Sequence, residues 1–161
     1  MKMNYDKEMN MNNVEFGDMP PQAFLLGLLS AFDNRYQAAA DAFFKEITWK
    51  QFFAIICINL CKEAPTINEL SDVMGSSHQN VKQILLKLEK KGFISMLPDE
   101  KDKRKQRIKV TDAAREFLEE NDNNGQQSQY IIGRIFGGIG EKELMTTIQT
   151  IMKMERNLSE L

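Results

Sequence analysis

The chain has 161 residues, 42% of them hydrophobic, and a formal net charge of −2 from 21 Lys/Arg and 23 Asp/Glu. That is enough apolar material for one compact core, and no run of about 18 apolar residues is present to suggest a membrane span. One histidine and two cysteines rule out a His cluster and leave too few ligands for a closed zinc site, so neither a metal nor a cofactor is expected.

Met1 to Met19 is polar and rich in Asn and Met, without the apolar core of a signal peptide. A mobile tail is expected there, and two cysteines with no secretory signal place the protein in the cytoplasm. Proline is favoured in an opening helical turn, so Pro20-Pro21 predicts a first helix running to about Phe44. Its apolar stripe is Phe24, Leu25, Leu28, Leu29 and Phe32, continued by Tyr36, Ala39 and Phe43.

Thr48 has capping-box spacing to Gln51 and opens a second helix that is apolar nearly all round. Cys57 and Cys61 lie four apart on it. Cβ atoms at that spacing stand roughly 5 to 6 Å apart, too far for the roughly 3.5 to 4.5 Å of a disulfide. Buried inert thiols are the favoured reading, with an oxidation sensor paired between subunits as the other.

The stretch Thr66 to Thr111 is the most informative. Thr66 with Glu69, and Ser76 with Gln79, have capping-box spacings that mark two short helices, with Gly75 between them. In the second, Val81, Ile84, Leu85 and Leu88 share one face, which predicts packing against Ile67, Leu70 and Val73 of the first. The opposite face then centres on Gln79 and Gln83, with Ser76, Asn80, Lys82 and Lys87 at its edges. Amide side chains can bond two atoms of a base edge at once, while hydroxyls and lysines hold phosphates or guanine. His78, near the helix start, is either a phosphate contact or a solvated side chain. Gly92 reads as a terminating cap.

Beyond Gly92, alternation in Phe93 to Pro98 and in Gln106 to Thr111 predicts a hairpin with one wet face. Its tip, residues 99–105, is too charged for a core. Beside a recognition helix such a tip can reach a narrow minor groove, with Arg104 the candidate to enter it. Between residues 78 and 110 there are ten Lys/Arg and four Asp/Glu, a local charge of +6, whereas the remainder carries −8. Local charge, rather than the total, decides nucleic-acid contact.

The Asn/Asp/Gly-rich run 121–129 reads as a loop by composition. A last helix, Glu141 to about Leu158, carries Leu144, Ile148, Ile151, Met152 and Leu158 on one side. The first and last helices each have an apolar face needing cover, and are expected to cover each other across a two-fold axis. Phe24, Leu28, Leu144, Ile148, Ile151 and Leu158 are the candidate dimer residues.

The order of elements, the Ser-Ser turn, Leu88-Glu-Lys-Lys-Gly-Phe-Ile94, and Asp99-x-Lys-Asp102-x-Arg104 running into Val110-Thr111 resemble the MarR family of bacterial winged-helix regulators. Ile47-Thr48-x-x-Gln51-Phe52 and Gly138-Ile-Gly-Glu-Lys-Glu-Leu144 extend the likeness over roughly Phe24 to Leu161. The resemblance implies a homodimer on a pseudo-palindromic operator, often released by a small ligand or by cysteine oxidation. By matching position it implies Ser77, Gln79, Asn80, Lys82 and Gln83 in the major groove, Arg104 in the minor groove, and Asp102 bracing the wing. It also implies a long helix through the run 121–129, whose composition reads as loop, so a helix from about Asp112 to Phe136, frayed or interrupted near Gly125, is expected. Met96 stands where the family is frequently basic, Lys101 and Lys103 where arginines are common, and Ala114 where glycine is common.

The expected fold is mainly α with a small β-hairpin wing: a tail (1–19), a helical dimerisation region (20–46 and 112–161) and a winged helix-turn-helix (47–111). A nucleophile beside a base and a Gly-rich phosphate loop are both missing, so the chain does not read as an enzyme. Tyr36, Phe43 and Phe53 are core, or else line a pocket between the first, second and fifth helices for a small aromatic effector. The expected function is a DNA-binding transcriptional regulator, most simply a repressor released by an effector. The alternatives are a winged-helix protein-interaction module without an operator, and a thiol-based redox sensor.

Overall fold

The computed structural model describes residues 17–42, 46–100, 102–121 and 126–161. Among them are seven helices and one two-stranded antiparallel hairpin, the mainly α architecture with a β wing expected from the sequence. The chain divides into two compact units, Met1–Thr111 and Asp112–Leu161.

In the first unit, α1 (Pro21–Asp41) starts on Pro20 without a side-chain cap. Phe24, Leu25, Leu28 and Leu29 are half-buried, while Leu26 and Phe32 are exposed. Helix α2 (Trp49–Leu60) opens with the reciprocal box read from the sequence: the Gln51 amide donates to Thr48 Oγ1 at 3.3 Å, and the Thr48 amide to Gln51 Oε1 at 3.1 Å. Ala54, Ile55 and Ile58 turn inward.

Helix α3 (Ile67–Met74) is boxed in the same way by Thr66 and Glu69. It ends where Gly75 adopts φ 58°. The Gly75 amide donates to the Asp72 carbonyl and the Ser76 amide to the Ser71 carbonyl, the paired bonds of a Schellman motif. That motif consumes Ser76. The cap of α4 (His78–Lys90) is therefore Ser77, whose hydroxyl accepts from the Asn80 amide at 3.3 Å. The spacing of Ser76 and Gln79 pointed one residue too early. Gly92, at φ 76°, closes α4 with a second Schellman pair, from the Gly92 amide to Glu89 and the Phe93 amide to Leu88.

Val81, Leu85 and Leu88 of α4 are fully buried with Leu70 of α3 and Ala54 and Ile55 of α2. Val73 was expected in this core and is 51% exposed. At about 100° per residue, three residues beyond Leu70 rotates a side chain away from the direction shared by Leu70 and Ser71, both buried.

Strand β1 (Ile94–Pro98) pairs with β2 (Gln106–Val110) in the register Ile94↔Val110, Met96↔Ile108 and Pro98↔Gln106. Ile94, Ile108 and Val110 are buried, while Leu97 and Lys109 on the other face are exposed. The Ile108 amide donates to the Pro65 carbonyl at 2.9 Å, tying β2 to the segment that leads into α3.

The second unit holds α5 (Asp112–Asn121), α6 (Gln126–Ile135) and α7 (Glu141–Ser159). Helices α5 and α6 stand on either side of residues 122–125, which lie outside the described residues, and α6 takes in Gln126 to Gln129 of the run whose composition reads as loop. Helix α7 has no buried residue. None of the described helices is long and apolar enough to cross a membrane.

Candidate nucleic-acid interface

The inward stripe of Val81, Ile84, Leu85 and Leu88 fixes which face of α4 turns outward. At about 100° per residue the centre of that outer face is Gln79, Gln83, Leu86 and Lys90, all exposed. His78 and Lys82 flank it on one side, Asn80 and Lys87 on the other, and these too are exposed, as is Ser77. Ser76 is half-buried, and its hydroxyl accepts from the Asn80 side-chain amide at 2.8 Å. Two members of the central stripe, Leu86 and Lys90, were not singled out from the sequence, although the same rotation places them there. Leu86 is 43% exposed and the only apolar side chain in that stripe.

The hairpin loop presents the second part of the surface. The Asp99 amide donates to the Lys105 carbonyl at 2.9 Å and the Lys105 amide to the Asp102 carbonyl at 2.8 Å, which folds the loop tightly. Asp102 accepts from Arg104 Nε at 3.0 Å, from the Arg104 backbone amide at 3.2 Å and from Arg104 Nη2 at 3.3 Å. These bonds hold the Asp102 carboxyl below its ordinary pKa, the Arg104 side chain contributing most. Arg104 is thus oriented while its side chain remains 91% exposed. Lys103 is exposed as well, and Lys101 lies outside the described residues.

One residue departs from the expectation that the tip is too charged for a core, because Asp99 is only 7% exposed. Its Oδ1 accepts from the Asp102 amide at 2.8 Å, and its Oδ2 from Arg107 Nε. Arg107 Nη1 also donates to the Ala64 carbonyl at 3.0 Å and to Glu69 Oε2 at 3.1 Å. The Asp99 bond raises the Arg107 pKa, and the bonds from Thr66 lower that of Glu69.

A cleft of about 320 Å³ lies behind α4, between α1, α2 and the α3–α4 turn. Tyr36, Trp49 and Phe53 line one side, with Met74, Ser76 and Asn80 from the turn and α4. Tyr36 and Trp49 meet edge to face at 4.7 Å, and Trp49 stacks on Phe53 at 6.0 Å. Tyr36 and Phe53 therefore do line a cavity, joined by Trp49, whose place the sequence did not decide. Phe43 lies outside the described residues.

Cys57 is buried and Cys61 half-buried, both as free thiols. Cys61 Sγ donates to the Cys57 carbonyl at 3.2 Å. Burial, then the neighbouring Cys61, pushes the Cys57 thiol up from its ordinary pKa, which disfavours the reactive thiolate. Of the candidate dimer residues, Phe24, Leu28, Leu144 and Ile151 are half-buried, and Ile148 and Leu158 are exposed. Among the described residues no group of three or more His, Cys, Asp or Glu could hold a metal.

The family model described as MarR family matches residues 47–105, which span α2, α3, α4, β1 and the wing loop. Over those residues the chain is similar to the MarR family. Solved structures share the fold over most of the chain's length. A MarR protein from Peptoclostridium difficile is 18% identical with a TM-score of 0.76, over 93% of this chain and 96% of that one. A mutant MarR from E. coli complexed with operator DNA is 22% identical with a TM-score of 0.71, over 86% and 99%. MepR from S. aureus in a DNA complex is 19% identical with a TM-score of 0.67, over 81% and 95%.

Proposed function

We propose that this chain is a regulator of the MarR family, a sequence-specific, double-stranded DNA-binding repressor that acts as a homodimer in the bacterial cytoplasm. The observation that carries the reading is the outward stripe of α4, where two adjacent amide side chains lie between lysines and beside a braced basic loop. Gln79 and Gln83 would bond adenine edges in the major groove. Ser76, Ser77, His78, Asn80, Lys82 and Lys87 would position the backbone or adjoining bases. Arg104 would enter the minor groove, with Lys101 and Lys103 on the flanking phosphates. Operator-bound MarR and DNA-bound MepR share this fold, which supports the assignment.

The apolar side chains of α1 and α7 supply faces for a second copy: Phe24 and Leu28 on the first, and Leu144, Ile148, Ile151 and Leu158 on the other. A two-fold axis would set two α4 helices about 34 Å apart, on successive turns of the major groove. The cleft beside Tyr36, Trp49 and Phe53 would take a small aromatic effector. An effector that favours a dimer of the wrong half-site spacing releases DNA without touching it.

Gln79→Ala and Gln83→Ala are each expected to relax base preference at one operator position, at a cost of about 1 to 3 kcal/mol. Equal losses on every sequence would reduce both residues to backbone contacts and refute direct readout. Trp49 is the single tryptophan, so its fluorescence reports occupancy of the cleft. Titration with a panel of aromatic acids and amines should find a ligand that changes the fluorescence and weakens DNA binding together.

A further inference from the structure

We infer that Arg107 is a positioning residue for DNA binding, a clamp that fixes the wing loop and its Arg104 relative to the helix-turn-helix. The inference rests on the DNA-binding reading above and adds to it a residue that does not itself face the groove.

Arg107 sits on the outer face of β2, opposite Leu97, where strand alternation alone would leave it solvated. Its side chain is instead only 30% exposed. The guanidinium folds back and meets three acceptors: Asp99 Oδ2, the Ala64 carbonyl and Glu69 Oε2. Each belongs to a different piece of structure. Ala64 precedes α3, Glu69 is in its first turn, and Asp99 begins the wing loop.

The acceptors are committed on their far sides too. Glu69 Oε2 also accepts from the Thr66 amide at 2.6 Å, so it is fixed to the start of α3. Asp99 accepts from the Asp102 amide, and Asp102 holds the Arg104 guanidinium. A continuous relay therefore runs from the first turn of α3 through Arg107, Asp99 and Asp102 to Arg104. A two-stranded hairpin is marginal in isolation, and its tip, residues 99–105, is made of charged side chains alone. The relay orients that tip before DNA arrives, so binding need not order the loop. Only a planar guanidinium presents several donors in fixed directions; a lysine offers a point charge on a flexible stem.

The test uses the full chain and two variants, Arg107→Met and Arg107→Lys. Hydrogen exchange in the free protein should quicken at the amides of Asp102, Arg104 and Lys105 in both, with the Val81 and Leu85 amides unchanged. On the upstream DNA that the unsubstituted protein prefers, both variants should bind about tenfold more weakly, the scale of re-ordering one or two long side chains. Because the clamp works through Arg104, Arg107→Met combined with Arg104→Ala should bind no more weakly than Arg104→Ala alone. Fully additive losses, or unchanged exchange in the loop, would overturn the inference. If the unsubstituted protein prefers no DNA while loop exchange still quickens in the variants, the DNA reading fails and the role assigned to the clamp falls with it. Arg107→Lys keeps the charge, so it reports on the clamp should Arg107→Met fail to fold.

Discussion

The winged part of the first unit and the second unit solve the problem of apolar surface in opposite ways. Helices α2, α3 and α4 and the hairpin bury Ala54, Ile55, Leu70, Val81, Leu85, Leu88 and Ile108 completely, whereas α7 has no fully buried side chain over 19 residues and leaves Met145, Ile148, Met152 and Leu158 exposed. Both sequences are amphipathic, so periodicity alone does not separate them. The difference is whether the chain supplies its own cover. In the function proposed above, a region that does is the DNA-reading head, and one that does not is a surface for a second copy.

The sharpest way to break that contrast is to damage each region separately. Leu85→Ala should cost about 2 to 5 kcal/mol of stability, because a fully buried side chain leaves a cavity, and urea unfolding followed by circular dichroism would read the loss. Ile148→Asp should leave the winged core intact and shift the protein toward monomer in sedimentation, with the dimer dissociation constant raised at least tenfold on the order of a core interface charge. An unchanged dimer would place the subunit contact elsewhere. Thr66→Ala removes one half of the box that opens α3 and should lower stability by about 1 kcal/mol, measured as a shift in the urea midpoint.

The smallest expected effect is on pH dependence. The hydrogen bonds from Thr66, then the nearby Arg107 and Lys105 charges, hold Glu69 below its ordinary pKa. Its contribution to stability is therefore complete above the ordinary glutamate value of about 4.3 and is lost as pH falls through the depressed value. Glu69→Gln should flatten the fall in urea midpoint between neutral pH and pH of about 3. Because Glu69 is largely exposed, the flattening should be slight.

These contrasts also explain what was legible beforehand. The boxes at Thr48 and Thr66, the glycines at 75 and 92 and the buried stripe of α4 are set by neighbours within four residues, so local spacing suffices to find them. The cap at Ser77 was displaced by one because the Schellman bonds at Gly75 first consume Ser76. Trp49 could be located only once α1 and α2 were packed together. Arg107 was hidden more deeply, since its acceptors lie 8, 38 and 43 residues away in the chain and alternation placed it on the wet face. The outer face of α4 is legible from the same rotation, which exposes Leu86 beside Gln79 and Gln83 although its apolar side chain carries no polar signal.

In the proposed function the basic, amide-rich face of α4 and its wing read DNA sequence. Fluorescence anisotropy on DNA from the protein's own upstream region, against a scrambled duplex of equal length at two salt concentrations, tests it most directly. A preference of about a thousandfold for the upstream DNA, with affinity falling steeply as salt rises, is the predicted result. Equal, weak binding to both duplexes, repeated across a genome-wide fragment selection, would contradict it and turn the basic face over to another partner.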